Sequence, residues 1–150
     1  MSYHESLALH GRLKELLGDK MPAVADNAPV FLHCPCTKMG CPCHEKTVWE
    51  DCVRELAETG ACCGTPCDED LVRTCPDYSS AANSLPTLRA LMESDLGCLE
   101  FLPCNRSKQA ADCWRWHPAK GYFMDAYVHE KSPYKTDDTA LYELLKKVVV

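Results

Sequence analysis

The segment from His33 to His44 constrains this chain more than any other feature. Its sequence is HCPCTKMGCPCH, so it contains two Cys-Pro-Cys triplets, each flanked by a histidine. A hydrophobic core does not require thiols and imidazoles this close together. The thiols are therefore expected either to be oxidised, as structural or redox disulfides, or to bind a metal ion. The fold depends on which of these holds.

Composition excludes several functional classes. Cysteine accounts for 12 of the 150 residues, a share near that of chains whose fold depends on cross-links. The net charge of −6 argues against a nucleic-acid partner, because nucleic-acid-binding domains are usually basic. No apolar run is long enough to span a membrane. We therefore expect no transmembrane segment.

The first twenty residues do not resemble a targeting sequence. They lack the continuous apolar stretch of a signal peptide, and they contain acidic residues that transit peptides avoid. Abundant cysteine without a secretory address leaves two compartments open. Either the thiols stay reduced and bind metal in the cytoplasm or nucleus, or the chain is oxidised in the mitochondrial intermembrane space.

Helical periodicity recurs along the chain, and no convincing set of strands accompanies it. The first predicted helix carries a leucine stripe and ends before Gly18. The predicted helices cover residues 3–17, 45–59, 65–75, 84–96, 109–114 and 138–148.

The expected fold is all-α, with disulfide-stapled helical hairpins, long irregular loops and arms. We expect an N-terminal helix and arm over residues 1–33 and a cysteine-rich helical hairpin over 34–78. A second cysteine-containing helical segment is expected over 79–116, and an arm with a C-terminal helix over 117–150.

All the cysteines are disulfide candidates. Two cysteines about ten residues apart on one helix can bond to two on an antiparallel neighbour. Cys52 and Cys62 have that spacing, and Cys63 and Cys75 supply a returning pair. The even number of cysteines permits full pairing but does not fix the connectivity. The candidates are Cys34, Cys36, Cys41, Cys43, Cys52, Cys62, Cys63, Cys67, Cys75, Cys98, Cys104 and Cys113.

The stretch from Cys34 to Tyr78 carries, in chain order, Cys34-Pro35-Cys36, Met39, Gly40, Pro42-Cys43, Cys52, Cys63 and Cys75. With this order it resembles the coiled-coil-helix–coiled-coil-helix proteins of the mitochondrial intermembrane space. A second stretch, from Glu100 to Cys113, is similar to half of a hairpin in accessory subunits of respiratory complex I. The resemblance implies a non-catalytic accessory or assembly subunit of a mitochondrial inner-membrane respiratory complex. Its partners would be protein subunits of that complex, and it would need no cofactor.

An alternative function is a zinc-binding protein-interaction module. The chain has no Cys-x2-Cys knuckle, which is the usual structural zinc motif. Thiolates as close as those of the two triplets can nevertheless share a tetrahedral ion. The ligands would be drawn from His33, Cys34, Cys36, Cys41, Cys43 and His44.

A second alternative is a thiol oxidoreductase that uses Cys34 and Cys36. Two close thiols form a strained and therefore reducible disulfide, which suits disulfide transfer. Val30, Phe31 and Leu32 would help to form its substrate cleft. The second Cys-Pro-Cys triplet argues against this function, because four crowded thiols are more typical of a cross-linked knot. Under the main prediction the chain is not an enzyme.

The segment from Arg106 to Lys120 is locally basic and includes Trp114 and Trp116. Such residues can stack on the bases of a nucleic acid. A packed tryptophan pair with a solvated basic rim is the simpler interpretation. Contact with anionic lipid or with a partner subunit is a further alternative.

Overall fold

The computed structural model describes residues 3–33, 46–49, 73–103, 112–128 and 137–149. Predictions that fall on the other residues lie outside the described part of the chain. Three α-helices, a short 3-10 helix and six β-strands occur within the described ranges. In chain order they are α1 (Tyr3–Leu17), the 3-10 helix (Gly18–Lys20), β1 (Pro29–His33), β2 (Lys46–Trp49), β3 (Arg73–Pro76), α2 (Ala81–Glu93), β4 (Gly97–Leu102), β5 (Cys113–Pro118), β6 (Met124–Tyr127) and α3 (Asp137–Val149).

The prediction of an all-α fold is wrong, because the six strands form two antiparallel sheets. Strand β2 lies inside the helix predicted over 45–59, and β3 overlaps the end of the helix predicted over 65–75. These two strands also contradict the stapled helical hairpin at those positions. The segment Thr47-Val48-Trp49 consists of β-branched and aromatic residues, which favour a strand beside another strand.

The prediction is also wrong for the described residues 98–102 and 113–127, where strands are found. The helix predicted over 109–114 is contradicted at Cys113 and Trp114, which begin β5. The arm predicted from residue 117 contains the end of β5 and all of β6. In β5, apolar and charged side chains alternate, which is the period of a strand and not of a helix.

Two helix predictions are confirmed almost to the residue. Helix α1 covers Tyr3–Leu17, and Gly18 follows it with a φ of 53°, a left-handed conformation that glycine adopts easily. Leu9 and Leu13 of its predicted stripe are buried, whereas Leu16 is half exposed. Helix α3 covers Asp137–Val149, with Leu141, Leu144 and Leu145 buried.

Helix α2 begins earlier than the predicted start at Ser84. Ser80 is its N-cap, and its side chain accepts a hydrogen bond from the amide of Ala82. Asp138 of α3 accepts another from the amide of Ala81 at 2.6 Å. These two acceptors satisfy N–H groups that a helix start leaves without partners, so the helix extends back to Ala81. Pro86 lies inside the helix.

The chain divides into two compact units. One comprises residues 1–10 and 23–77, and the other comprises residues 11–22 and 78–150. Each unit contains one of the sheets.

Sheet A, in the first unit, has the strand order β2-β1-β3. Its central strand β1 carries consecutive buried residues, Val30, Phe31 and Leu32, as is typical of a strand covered on both faces. The hydroxyl of Ser6 in α1 donates to the carbonyl of Pro76 at the end of β3. That bond ties the start of α1 to the edge of sheet A.

Sheet B, in the second unit, has the strand order β4-β5-β6. Helix α3 packs on β5 and β6, and α2 contacts β4 and α3. Trp116 of β5 is 1% exposed and fills the centre of the sheet's helix-facing side. A Cβ atom at Gly97 would collide with the Trp116 ring, so only glycine fits at that position of β4.

Candidate functional site

The metal and redox candidates of the two Cys-Pro-Cys triplets lie outside the described residues. These are Cys34, Cys36, Cys41, Cys43 and His44. Among the described residues, no group of three or more His, Cys, Asp or Glu side chains is placed to hold a metal ion. His33 is described through its backbone and is the last residue of β1.

The two strands that flank this segment are paired with each other. Strand β1 ends just before Cys34, β2 begins at Lys46, and the two strands are antiparallel. Leu32 and Lys46 are direct partners in the ladder. Antiparallel partners have Cα atoms about 5 Å apart, so the ends of the connection are held close together by hydrogen-bonded backbone.

A second cysteine-rich connection reaches the same end of sheet A. Strand β3 is antiparallel to β1, and its first residue, Arg73, is the ladder partner of His33. The residues that lead into Arg73 form the connection 50–72, which contains Cys52, Cys62, Cys63 and Cys67. The topology therefore brings the start of β3 to the strand ends between which the two triplets lie.

Of the remaining cysteines, three are described. Cys75 of β3 is fully buried and packs against Phe31. Cys98 of β4 is exposed, Cys113 of β5 is buried, and both are free thiols. Cys98 is the ladder partner of His117, four residues along β5 from Cys113. At about 3.3 Å per residue, that separation is too large for Cys98 and Cys113 to bond to each other.

Sheet B carries a row of charged side chains on the face opposite Trp116, which we call the polar face. It consists of Glu100 on β4, Arg115 on β5 and Asp125 on β6. These residues are aligned by the ladder, and their charges alternate in sign. Arg115 Nε donates to one oxygen of Asp125 at 2.7 Å, and its Nη2 donates to the other at 3.0 Å. Bidentate geometry of this kind strengthens an ion pair, and this pair is partly buried.

The aromatic ring of Phe123 extends this arrangement. The guanidinium of Arg115 lies 3.9 Å from the ring centroid of Phe123, in a cation–π contact. The hydrogen bond from Arg115 holds the pKa of the Asp125 carboxyl below its usual value, although partial burial opposes that shift. Asp125 in turn raises the pKa of Arg115. Both charges therefore persist well below neutral pH.

Two further contacts lie on the polar face. His117 is bonded to Glu100, with 2.7 Å between Nε2 and the carboxylate oxygen, and both side chains are more than 40% exposed. The Cys113 thiol lies beside Asp125, and its pKa is raised by burial first and by the Asp125 charge second. A buried thiol with a raised pKa is a poor nucleophile and a poor metal ligand. Cys113, which is 4% exposed, therefore offers little thiolate for either role.

The described part of the basic segment is structural. Arg115 is neutralised by Asp125, and Trp116 is buried beneath Gly97. Trp114 packs against Phe101 with 4.9 Å between ring centroids. The packed tryptophan pair is thus the interpretation that agrees with these residues. Trp116 has no exposed face on which a nucleic-acid base could stack.

Sequence reasoning missed Glu100, Phe123 and Asp125. Their partners come from neighbouring strands, so no local spacing marks them. The one available signal was the alternation of Trp114, Arg115 and Trp116, which has the period of a strand and places the arginine on the opposite face from both tryptophans.

Comparison with known proteins identifies no relative of this chain. No family model, no curated protein and no solved structure matches the chain. The helices in the described part of the chain include none with the length and apolar character needed to cross a membrane.

Proposed function

We propose that this chain is a non-catalytic protein-interaction module stabilised by zinc. The ligands would be drawn from Cys34, Cys36, Cys41 and Cys43, with His33 and His44 as the alternative nitrogen ligands. The observation that carries this proposal is the pairing of Leu32 with Lys46, which holds together the two strand ends between which all these residues lie.

The pairing lowers the cost of forming a metal site. Bringing four ligands to one ion normally requires the chain to close a loop, which costs conformational entropy. Here the ends of the loop are already held by the ladder between β1 and β2. Thiolate and imidazole ligands suit zinc, and a site with four protein ligands leaves no position for a substrate. The metal would therefore support the fold, not a reaction.

The fold supports a disulfide-stapled helical hairpin less well than it supports the zinc proposal. Staples between antiparallel helices require helices at 45–59 and 65–75, and β2 and β3 replace parts of both. Cys75, expected to supply a returning pair, lies in β3 with its side chain against Phe31. A role as accessory subunit of a respiratory complex, and a location in the intermembrane space, stay predictions that no described residue tests.

The oxidoreductase alternative also loses part of its support. Val30, Phe31 and Leu32, which were expected to line a substrate cleft, are each less than 5% exposed. They form the core of sheet A and offer no surface to a substrate.

An interaction role is supported by the exposed aromatic residues of sheet B and its hairpin. Phe101, Phe123 and Tyr127 are each 43–52% exposed, and Tyr122 is 94% exposed. Aromatic side chains and arginine are enriched in protein interfaces. Contact with anionic lipid is less favoured here, because the charge of Arg115 is already balanced by Asp125.

Mass spectrometry of the purified full chain tests the zinc proposal. Under native conditions we expect bound zinc, and acidification should remove about 65 Da per ion. Reduction should leave the mass unchanged. A chain bridged throughout would instead gain about 12 Da on reduction, one hydrogen for each of its 12 cysteines, and that result would overturn the proposal.

Matched variants locate the ion. Cys34→Ser and Cys43→Ser should each lower the zinc content, whereas Cys98→Ser and Cys113→Ser should leave it unchanged. An equal loss of zinc in the two triplet variants and the two control variants would show that the triplets do not form the site.

A further inference from the structure

Along each strand of sheet B, the backbone N–H and C=O groups point alternately to one side and to the other. Two hydrogen bonds show the phase of this alternation, that is, which residues point to which side. In an antiparallel ladder, every second pair of residues exchanges backbone bonds. The amide of Ala119 donates to Leu96 at 3.2 Å, and the amide of Val128 donates to Asp112 at 2.8 Å. The first bond sets the phase between β5 and β4, and the second sets it between β5 and β6. Pro118, which has no N–H, falls on a pair that exchanges no bonds with β4, as this phase requires.

Strand β4 therefore directs half of its backbone groups away from the sheet. Leu96 bonds to β5, so the backbone groups at every second position after it, those of Cys98 and Glu100, also bond to β5. Leu99 and Phe101, between them, turn their N–H and C=O groups to the outer edge. Within the described residues, neither amide N–H has an acceptor, and the carbonyl of Leu99 receives only a long 3.9 Å contact from the Cys98 thiol.

At the opposite edge of sheet B, one outward carbonyl has a side-chain partner. By the same phase, Asp125 of β6 turns its backbone groups outward, and Lys147 of α3 donates to its carbonyl at 2.9 Å. Lys147 lies on helix α3 and not on the edge strand, but a strand added at Asp125 would have to displace its bond. The two edges of sheet B thus differ in their capacity to accept another strand.

The side chains along β4 define what would fit beside it. On the polar face, the row Asp125–Arg115–Glu100 ends at β4 with the Glu100 carboxylate. This carboxylate contacts His117 but is still 47% exposed, so the next position favours a cation. On the other face, the neighbouring row Ala126–Trp114–Phe101 ends at β4 with Phe101. This ring is 43% exposed although it packs on Trp114. A strand beside β4 would meet Glu100 in a pair without backbone bonds, where side chains approach most closely.

We propose that the outer edge of β4 binds an extended segment of a partner protein as a fourth, antiparallel strand. The segment carries Lys or Arg opposite Glu100 and apolar residues opposite Leu99 and Phe101. Main-chain bonds to Leu99 and Phe101 supply affinity, and the alternating side chains supply specificity. This inference rests on the proposed interaction role and names its partner, but it does not depend on zinc.

Hydrogen exchange on the full chain tests the proposal with a defined probe. The probe is a blocked peptide of sequence Thr-Val-Lys-Val-Thr, and the control peptide has Glu in place of Lys. On binding of the probe, the amides of Leu99 and Phe101 should gain protection from exchange. The amide of Glu100, already bonded to β5, should change little.

Two variants separate backbone pairing from side-chain contact. Leu99→Pro removes an outward N–H without removing a bond to β5, and we expect it to weaken binding at least tenfold. Leu99→Ala keeps that N–H and should retain most of the affinity. Glu100→Lys should weaken binding of the lysine peptide about fivefold or more and strengthen binding of the glutamate peptide.

The contrary results are equally specific. Absence of binding at millimolar peptide, equal binding by the Leu99→Pro and Leu99→Ala variants, or new protection at Asp125 in place of Leu99 would each overturn the proposal. The same titration with the Cys34→Ser variant distinguishes it from the zinc proposal. Retained binding by that variant shows that strand addition stands whether or not the zinc site does.

Discussion

Different features stabilise the two sheets of this protein, each within its own unit. Sheet B has its own visible supports: the Arg115–Asp125 ion pair, the buried ring of Trp116 and the packing of α2 and α3. Sheet A has a short buried strand, β1, whose neighbours are reached through the connections 34–45 and 50–72. Most of the chain's cysteines lie in those connections. Under the zinc proposal, sheet A would need the metal in addition to the packing of β1, whereas sheet B would be stabilised by side-chain contacts alone.

If the proposed zinc is bound, its removal has the largest expected effect on the difference between the two sheets. Metal binding contributes roughly 10 kcal/mol to the folding of small zinc domains, as much as the whole stability of a typical domain. A chelator should therefore abolish amide protection at Phe31 and Leu32 in sheet A and leave it intact at Trp116 in sheet B. Hydrogen exchange followed by mass spectrometry measures both regions at once. Unchanged protection in sheet A would show that its cysteines do not hold a metal that the fold needs.

Truncation of Trp116 tests the stabilisation of sheet B by side-chain packing. Trp116→Ala should lower the free energy of unfolding of the second unit by about 3–5 kcal/mol, because it empties the centre of the sheet. Trp114→Ala is the matched control and should cost about 1–2 kcal/mol, since that ring remains partly exposed. Urea denaturation monitored by circular dichroism gives both values. Equal losses would contradict the assignment of Trp116 as the core residue.

A smaller effect is expected at Gly97. In Gly97→Ala the new methyl group meets the Trp116 ring and the His117 backbone, and overpacking of this kind costs about 1–3 kcal/mol. Gly11→Ala is the control, because nothing lies within 4 Å of a Cβ there and the residue is inside α1. That change should stabilise the protein by about 0.5–1 kcal/mol. Thermal denaturation distinguishes the opposite signs.

The smallest effect is expected at Asp125. Its pKa is lowered in the folded state, so the Arg115–Asp125 pair stabilises the fold above the carboxyl's unfolded pKa, and this contribution is lost as the pH falls through the folded pKa. Asp125→Asn should cost about 1 kcal/mol at neutral pH and make stability less dependent on pH in the acid range. Glu143→Gln breaks only an exposed pair with Lys146 and should change little. Equal pH profiles for Asp125→Asn and the unmodified chain would show that the pair contributes nothing.

The sequence predicted the helices better than the strands, for physical reasons. Helices α1 and α3 carry leucine stripes over several turns, and a signal of that length is specific. Each strand has only four to six residues, and its position depends on partners elsewhere in the chain. In residues 45–59, Val48, Cys52 and Leu56 have helical spacing, yet β1 supplies a partner for Lys46–Trp49, and pairing determines the outcome.

The candidate site could be predicted in composition but not in arrangement. The two Cys-Pro-Cys triplets are evident from spacing alone, whereas the pairing of the strands on either side of them is not. Asp125 and Glu100 have no local pattern, because a cross-strand row forms only after register is set. The basic segment predicts a packed tryptophan pair with a solvated basic rim, but the sequence does not show that Arg115 pairs with Asp125, ten residues later on another strand.

The bond from Lys147 to the carbonyl of Asp125 has a consequence for assembly. A sheet that can be extended at both margins can grow head to tail without limit, which is how fibres begin. If a strand adds to β4 as proposed, the Lys147 ammonium hinders a further strand at Asp125, on the opposite margin of sheet B. Complexes formed by strand addition to sheet B should therefore favour one-to-one stoichiometry.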